Sequence, residues 1–295
     1  MASPPGRSTQ VAAVVVAFNS VELLRENLAK NPLPGVAIVV VDNSTIQLER
    51  DATELLAQAE GWLYIAMSEN VGFGSASNAG AEAAIDRGCS HVLLLNPDAS
   101  IRADSLDQLI EQADDDTILS PLILRPDGKV WFRGGELDVS KGVARHAAAP
   151  VDPVWLTGAC MLVPARAWSN LGGFDSRYFL YWEDVDLSFR WRASGGGLRV
   201  VETATALHDA GGTQGLEDEK SPTYFRYNCR NRILFGFLNL RTSSALWWFI
   251  SSPRYWRRML RSANVQPGRR GAALSASIRG TTAGLIAGLR ARKQK

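Results

Sequence analysis

The sequence predicts an α/β fold built on a mostly parallel sheet, and three observations carry that prediction. Short apolar runs rich in Val, Ile and Leu recur through the first hundred residues. Between consecutive runs lie stretches with the spacing of amphipathic helices. Several runs stop abruptly in a polar cluster. Strands and helices in alternation describe a parallel sheet covered on both faces, whose strands read as continuous hydrophobic segments.

In chain order, the first strand is read over 11–18 ("VAAVVVAF") and the first helix over 21–30. A second strand at 36–42 ("VAIVVVD") leads to a helix at 49–59. The third strand is 62–67 ("WLYIAM"), followed by a helix at 74–87, and the fourth is 91–96 ("HVLLLN"), followed by a helix at 103–114. "RPDGKVWFRGG" reads as a turn and then an edge strand. Pro150 and Pro153 mark a break before another apolar run, "WLTGACMLV". A helix begins near Glu183, a strand is read at "LRVVE", and helical patterns follow from Tyr224 onward. There is no internal repeat and no low-complexity tract.

Of 295 residues, 46% are hydrophobic and 21% charged, the composition of a globular chain long enough to bury a large core. The three cysteines, Cys89, Cys160 and Cys229, form no CxxC pair. This argues for a reducing compartment and against a disulfide framework or zinc knuckle. The opening "MASPPGRSTQ" has no apolar core of signal-peptide length, and no stretch reaches the roughly 18 apolar residues of a membrane span. The expectation is a soluble or membrane-peripheral chain. Net charge is +2, yet residues 220–295 carry 16 of the 32 basic residues and none of the 30 acidic ones. Such a basic tail suits a polyanionic surface, either nucleic acid or anionic lipid.

Ligands of open α/β sheets sit beyond the carboxyl ends of the strands. Three strand ends here are polar: Phe18-Asn19-Ser20, Asp42-Asn43-Ser44 and Asn96-Pro97-Asp98. Ser, Asn and Asp are also preferred helix caps, so one such end alone would indicate no more than a cap. Their recurrence on neighbouring strands points to a site. "ENVGFGSASNAG" contains G-x-G, but a dinucleotide fingerprint would need glycine at position 77, which is Ser77. Its glycines allow close backbone approach to a ligand, and the following helix offers its N-terminus to anionic groups. Asp98 is placed to face a hard divalent cation, which needs few carboxylates when phosphates complete its shell. His208, in "ALHDAGGT", sits beside Asp209 and a glycine pair.

"FLYWEDVDLSFRW" sets Glu183, Asp184 and Asp186 behind a run of aromatic residues. On a helix, Asp186 and Arg190 are i, i+4 partners, whereas Asp184 lies on another face. Acidic residues favour any first helical turn, but that does not account for "FLYW" in front of them.

Together, "VVVAFNS", "VVVDNS", "ENVGFGSASNAG", "LLLNPDA", "TGACMLVPARAW", "LGGFDSRYFLYWEDVDLSFRWRASG" and "HDAGG" resemble the family 2 inverting glycosyltransferases. Within that family they are most similar to bacterial rhamnosyltransferases of cell-wall and surface polysaccharide synthesis. The resemblance covers residues 10–240. It implies a GT-A fold and a nucleotide-diphosphate sugar donor, with dTDP-L-rhamnose favoured over UDP-galactofuranose or another UDP-sugar. It also implies Mg²⁺ or Mn²⁺ on the diphosphate. Carried over, Asp42 would hold the nucleoside, Asp98 and His208 would face the metal, Asp184 would be the general base, and Glu183 would position the acceptor or its loop. The implied donor-binding set is Ala17, Phe18, Asn19, Asp42, Asn43, Asn70, Gly72, Asn78, Asn96, Asp98 and Arg230. Gly158, Tyr181 and Trp182 are expected on the acceptor side. Many relatives have D-x-D where this chain has Asn96-Pro97-Asp98, leaving one carboxylate for the metal.

The chain then divides into an N-terminal segment (1–9, expected flexible), a catalytic domain (10–240, with a nucleotide-sugar half at 10–100 and an acceptor half at 101–240) and C-terminal amphipathic helices (241–295). In "PRYWRRMLR", Tyr255, Trp256, Met259 and Leu260 share one helical side, opposite Arg254, Arg257, Arg258 and Arg261. This is the pattern of a helix in a membrane interface, and "LWWFI" upstream adds tryptophans suited to that depth. No nucleic-acid recognition motif accompanies the charge. The expected location is therefore the cytoplasm, at the inner face of the cell membrane, beside a glycan or polyprenyl-diphosphate-linked acceptor. A non-catalytic nucleotide-sugar-binding subunit of a membrane complex is the alternative from another class. Oligomeric state is not encoded in any of these patterns.

Overall fold

The computed structural model describes residues 10–209, 220–263 and 265–294. The first half alternates as the hydrophobic pattern predicts. The elements are β1 (Val11–Ala17), α1 (Val21–Leu24, running on into a π-helical turn, Arg25–Ala29), β2 (Ala37–Asp42), α2 (Gln47–Glu60), β3 (Leu63–Ala66), α3 (Phe73–Asp86) and β4 (His91–Leu95). Every residue of β1 and β4 is buried, as strands covered on both faces must be. Next come β5 (Ala99–Ile101), α4 (Ala103–Glu111), β6 (Thr117–Leu124) and β7 (Val130–Phe132), the last an antiparallel edge partner of β6 after the Asp127-Gly128 turn. A hairpin of β8 (Gly135–Asp138) and β9 (Val143–His146) follows, then β10 (Cys160–Pro164), α5 (Ala165–Leu171), α6 (Glu183–Ala193) and β11 (Gly197–His208). The chain continues through α7 (Pro222–Asn239), α8 (Thr242–Ile250), α9 (Ser252–Ser262) and α10 (Arg270–Arg292).

Among the described residues, nine strands join in one sheet of order β3-β2-β1-β4-β10-β6-β11-β5, with β7 on the side of β6. β3, β2, β1 and β4 are parallel, as are β6 and β11, but β10 is antiparallel to both of its neighbours. This reversal positions the site, because β10 begins where β4 ends. Helix α3 lies close against the sheet at Gly80, where a Cβ would come within 2.5 Å of a Val14 methyl and 2.8 Å of a Val41 methyl.

The C-terminal helices are packed into the body of the protein. Trp248 of α8 is fully buried in the main core beside Phe235. α10 lies along α7 through a stripe of small residues that includes Ala276, Gly280, Gly284 and Gly288. A Cβ at Gly280 would stand 2.1 Å from the Arg226 carbonyl oxygen, and one at Gly284 would stand 2.3 Å from that of Arg230.

One expectation is corrected here. The apolar side of α9 does not face outward: Met259 joins a second buried cluster with Phe225, Cys229, Val265, Ala273 and Ala276. Tyr255, Trp256 and Leu260 pack against that cluster, and the Trp256 indole donates to Thr281 Oγ1 at 3.0 Å. An apolar stripe has the same period whether a bilayer or a groove between two helices covers it. No helix among the described residues is long and apolar enough to cross a membrane.

Candidate active site

The carboxyl ends of β1, β2 and β3 are stitched together by side-chain amides. Asn19, in left-handed backbone conformation, donates its N–H to Ser44 Oγ at 2.9 Å. Its Oδ1 accepts the N–H groups of Thr45 and Ile46 at 3.1 and 3.3 Å. Asn43 Oδ1 accepts from Val71 N–H at 2.9 Å, and its Nδ2 donates to Asn70 Oδ1, which also accepts from Gly72 N–H. Asn19, Asn43 and Asn70 thus join the three strand ends into one polar rim. Phe18 is exposed at its edge, while Ala17 is buried and reaches the rim through its carbonyl, which accepts from Asn43 N–H. Asp42 is buried at the strand end, where its carboxylate accepts from Tyr64 O–H at 2.7 Å and Ser44 N–H at 2.9 Å. Burial, then the hydrogen bond to Asp42, hold the Tyr64 phenol above its usual value. No pattern in the sequence singles Tyr64 out.

Asp98 and His208 are 110 positions apart, and the sheet brings them together. Antiparallel β5 and β11 pair Ala99 with His208, so the neighbouring Asp98 meets the imidazole, with His208 Nε2 3.1 Å from Asp98 Oδ1. Both side chains are buried, and His208 Nδ1 has no hydrogen-bond partner among the described residues. A buried imidazole nitrogen left without a partner is costly unless something fills the position. The Trp131 ring packs edge-on to His208 with centroids 4.2 Å apart. Trp131 is a neighbour that spacing could not reveal, since β7 alone delivers it.

A divalent cation fits these residues. Asp98 contributes one carboxylate and His208 one imidazole, and no group of three or more potential ligands of this kind occurs among the described residues. Such a pair suits a cation whose remaining positions are filled by phosphate oxygens. The glycine pair following Asp209 lies outside the described residues.

The reversal of β10 now matters. Asn96, at the end of β4, donates its N–H to the Ala159 carbonyl just before β10. The adjacent Gly158 donates its N–H to Asp184 Oδ2 at 3.3 Å, and Val185 N–H binds Asp184 Oδ1 at 2.8 Å. The first turn of α6 therefore stands over the strand end that carries Asp98. Asp184 is partly exposed, whereas Glu183 is buried with its Oε2 unpartnered among the described residues. Burial, and after it the charge of Asp184, raise the Glu183 carboxyl to about 8. Burial raises Asp184 to about 6, with the two backbone N–H groups pulling the other way. The pair therefore retains one proton near neutrality, on the more buried Glu183, and Asp184 keeps its charge. Asp186 serves separately, accepting from Arg190 Nε at 2.6 Å, Asn239 Nδ2 at 2.7 Å and Tyr178 O–H at 3.2 Å.

Several expected residues have other partners. Trp182 is not an acceptor-side surface: it is buried, and its ring packs on Phe235 and Trp248. The reason is local, since Tyr181 and Trp182 both have positive φ, 68° and 73°, which turns Trp182 into the core. Tyr181 stays half-buried against Tyr224. The close approach allowed by Gly72 and Gly74 is made by the chain itself. A Cβ at Gly72 would lie 2.2 Å from the Phe179 carbonyl oxygen, and one at Gly74 would lie 3.0 Å from Phe174 Cβ. Asn78 uses both ends of its amide on the backbone of Phe174. Arg230 donates to the Arg177 carbonyl at 2.9 Å, and Asn231 donates to the carbonyls of both Leu180 and Tyr181 at 2.8 Å. α7 thereby holds the loop that delivers Asp184.

The sequence matches the family model described as Glycosyl transferase family 2 over residues 12–146, and that described as Glycosyl transferase family group 2 over residues 91–283. It is 33% identical over 150 residues to the N-acetylglucosaminyl-diphospho-decaprenol L-rhamnosyltransferase of Mycobacterium tuberculosis, covering 43% of this chain and 49% of that one. The chain thus spans about half the length of this curated relative. It is 26% identical over 239 residues to the low-salt glycan biosynthesis hexosyltransferase Agl10 of Haloferax volcanii, covering 76% of this chain and 74% of that protein. Among solved structures it resembles GalNAc-T7 with UDP, GalNAc and Mn²⁺, with TM-score 0.57 and 16% identity over 79% of this chain and 48% of the other. This likeness is one of GT-A fold.

Proposed function

Because the chain belongs to glycosyl transferase family 2, we propose that it is an inverting transferase that moves a sugar from a nucleotide diphosphate to an acceptor hydroxyl, with Asp184 as general base. The donor is dTDP-L-rhamnose and the acceptor a glycan or a polyprenyl-diphosphate-linked sugar in cell-wall or surface polysaccharide synthesis. The rhamnosyl reading rests on the name of the Mycobacterium tuberculosis relative. The protein works as a peripheral protein at the inner face of the cell membrane, where such an acceptor lies.

The observation that carries the reading is the position of Asp184. Inversion requires the acceptor hydroxyl to approach the anomeric carbon from the face opposite the departing diphosphate, with a base within hydrogen-bond reach of that hydroxyl. Asp184 is a charged, partly exposed carboxylate anchored by Gly158 N–H, one residue from the Ala159 carbonyl that Asn96 N–H engages. It takes the hydroxyl proton as the glycosidic bond forms and the bond from the anomeric carbon to the diphosphate breaks. Glu183, neutral and buried beside it, adds no second charge next to Asp184. Asp98 and His208 would hold Mg²⁺ or Mn²⁺, which supplies charge stabilisation to the leaving diphosphate. The amide-laced rim formed by Asn19, Asn43 and Asn70, with Asp42 and Tyr64 beneath, receives the nucleoside.

Asp184→Asn tests the assignment. Transfer should fall by about 10²–10⁴-fold, the usual worth of a general base, while nucleotide-sugar binding followed by calorimetry stays unchanged. Transfer within a few-fold of wild type would remove Asp184 from the role. A donor panel of dTDP- and UDP-sugars assayed alongside identifies the sugar, and failure of every donor to react would favour a non-catalytic binding subunit.

A further inference from the structure

With the apolar side of α9 covered, the question becomes which surface of the C-terminal helices meets the outside. α10 turns its small residues to α7, and its opposite face carries Ile278, Ile286 and Leu289, each 44–47% exposed. At 100° per residue these fall within one sector of the helix, with the exposed Arg279 and Arg290 along its border. Trp247 and Ile250 on α8, 51% and 67% exposed, repeat the combination of uncovered apolar side chains in a basic segment. No acidic residue occurs anywhere in 220–295. The ion pairs between described side chains all lie within residues 22–208, so Arg279 and Arg290 face outward with their charge uncompensated by any of them.

We propose that the outer face of α10 is a docking surface for an anionic lipid bilayer, with Ile278, Ile286 and Leu289 entering the interface and Arg279 and Arg290 meeting the headgroups. Charge selects this occupant. A second copy seated face to face would set these arginines against their own counterparts, with no acid in the last 76 residues to offset them. A bilayer satisfies both the apolar stripe and its basic border. The same helix pair reaches the reaction. Gly284 of α10 packs on the Arg230 carbonyl, and the side chains of Arg230 and Asn231 hold the loop carbonyls that precede Asp184. This docking surface deepens the proposed function and rests on it only for what it delivers, a lipid-linked acceptor.

The test is co-sedimentation of the full chain with phosphatidylcholine vesicles with and without phosphatidylglycerol. Binding is expected only with phosphatidylglycerol, and it should be lost as salt rises from 0.1 to 1 M and the Debye length shrinks from about 10 to about 3 Å. Ile278→Gln with Ile286→Gln should lower the partition constant at least about tenfold. Arg279→Gln with Arg290→Gln should lower it and flatten its salt dependence. Neither pair should alter the thermal shift produced by the nucleotide sugar. A wild-type chain that stays in the supernatant, or an apolar double variant that sediments undiminished, overturns the proposal. So does retention by RNA or an acidic protein without retention by vesicles. If the donor shift persists while vesicle binding is absent, the docking surface fails and the transferase reading stands. If vesicle binding meets these expectations and no donor shifts the protein, the surface stands and the reading of the site fails.

Discussion

Glu183 and Asp184 are adjacent in sequence and unlike in surroundings, and the difference yields two pH predictions of opposite kind. Asp184, raised to about 6, must be charged to accept a proton, so kcat/KM should fall as pH drops through about 6 and level off above it. A profile still flat at pH 5 would exclude it as the base. Glu183 is raised from its usual value to about 8. Between those two values the folded chain binds a proton that the unfolded chain has released, so this group's contribution to stability is greatest at low pH and is lost as pH rises towards 8. Glu183→Gln should therefore flatten the fall in Tm between pH 5 and 8.5 and raise Tm at the alkaline end. Scanning calorimetry across that range would measure it. The sequence made the opposite facing of Asp184 and Asp186 legible, because helical spacing fixes it. It did not reveal the inward turn of Trp182, since two consecutive non-glycine residues at positive φ leave no mark in composition. Such strain costs of order 1–3 kcal/mol per residue and persists only where neighbours over-determine it.

Those neighbours belong to α7 and α8. Asn231 is fully buried and spends its amide protons on the Leu180 and Tyr181 carbonyls. Asn231→Ala leaves both acceptors unpaired, which should cost about 1–3 kcal/mol. It should also reduce kcat more than it changes donor KM, because the base loop loses its clasp while the Asn19–Asn43–Asn70 rim is untouched. At the facing helix, Gly284→Leu should destabilise by about 1–3 kcal/mol through overpacking against the Arg230 backbone. Gly271→Ala on the same helix has nothing within 4 Å of the added carbon and should leave Tm unchanged or slightly higher. Denaturant midpoints compare the two. Element existence was legible through periodicity from β1 to β4 and again at α4, β7, β10 and α6, whereas β5, β6, the β8–β9 hairpin and α5 carried no pattern that was read. Strand direction was not: "WLTGACMLV" reads like any other apolar run, and only its place between β4 and β6 shows β10 to be reversed. The stripe on α9 was legible too, but not the identity of what covers it.

At the scale of the whole molecule, the site is assembled from segments distant in sequence. The rim comes from the ends of β1, β2 and β3, the candidate metal pair from the two sides of the β5–β11 ladder, and the proposed base from a helix held by α7. The polar ends of β1, β2 and β4 could be read in advance because they recur at the same place, just after an apolar run. The meeting of Asp98 with His208 could not, because it depends on a ladder between residues 110 positions apart. A donor that engages all these segments should stabilise the fold as one unit. At a hundred times its Kd, a ligand bound only to the native state adds about 2.7 kcal/mol, or roughly 4–5 °C in Tm for a chain of this size. If Asp98 and His208 hold a cation against the diphosphate, that shift should require Mg²⁺ or Mn²⁺ and shrink on chelation. Asp98→Asn and His208→Ala should each abolish the metal-dependent part while leaving the smaller shift given by the nucleoside alone. The nucleoside shift should instead be lost in Asn43→Ala, whose partners are Asn70 and Val71. A donor shift of full size in the presence of a chelator, equal in wild type and Asp98→Asn, would show that the diphosphate is held without the cation and that His208 Nδ1 is left unpaired for another reason.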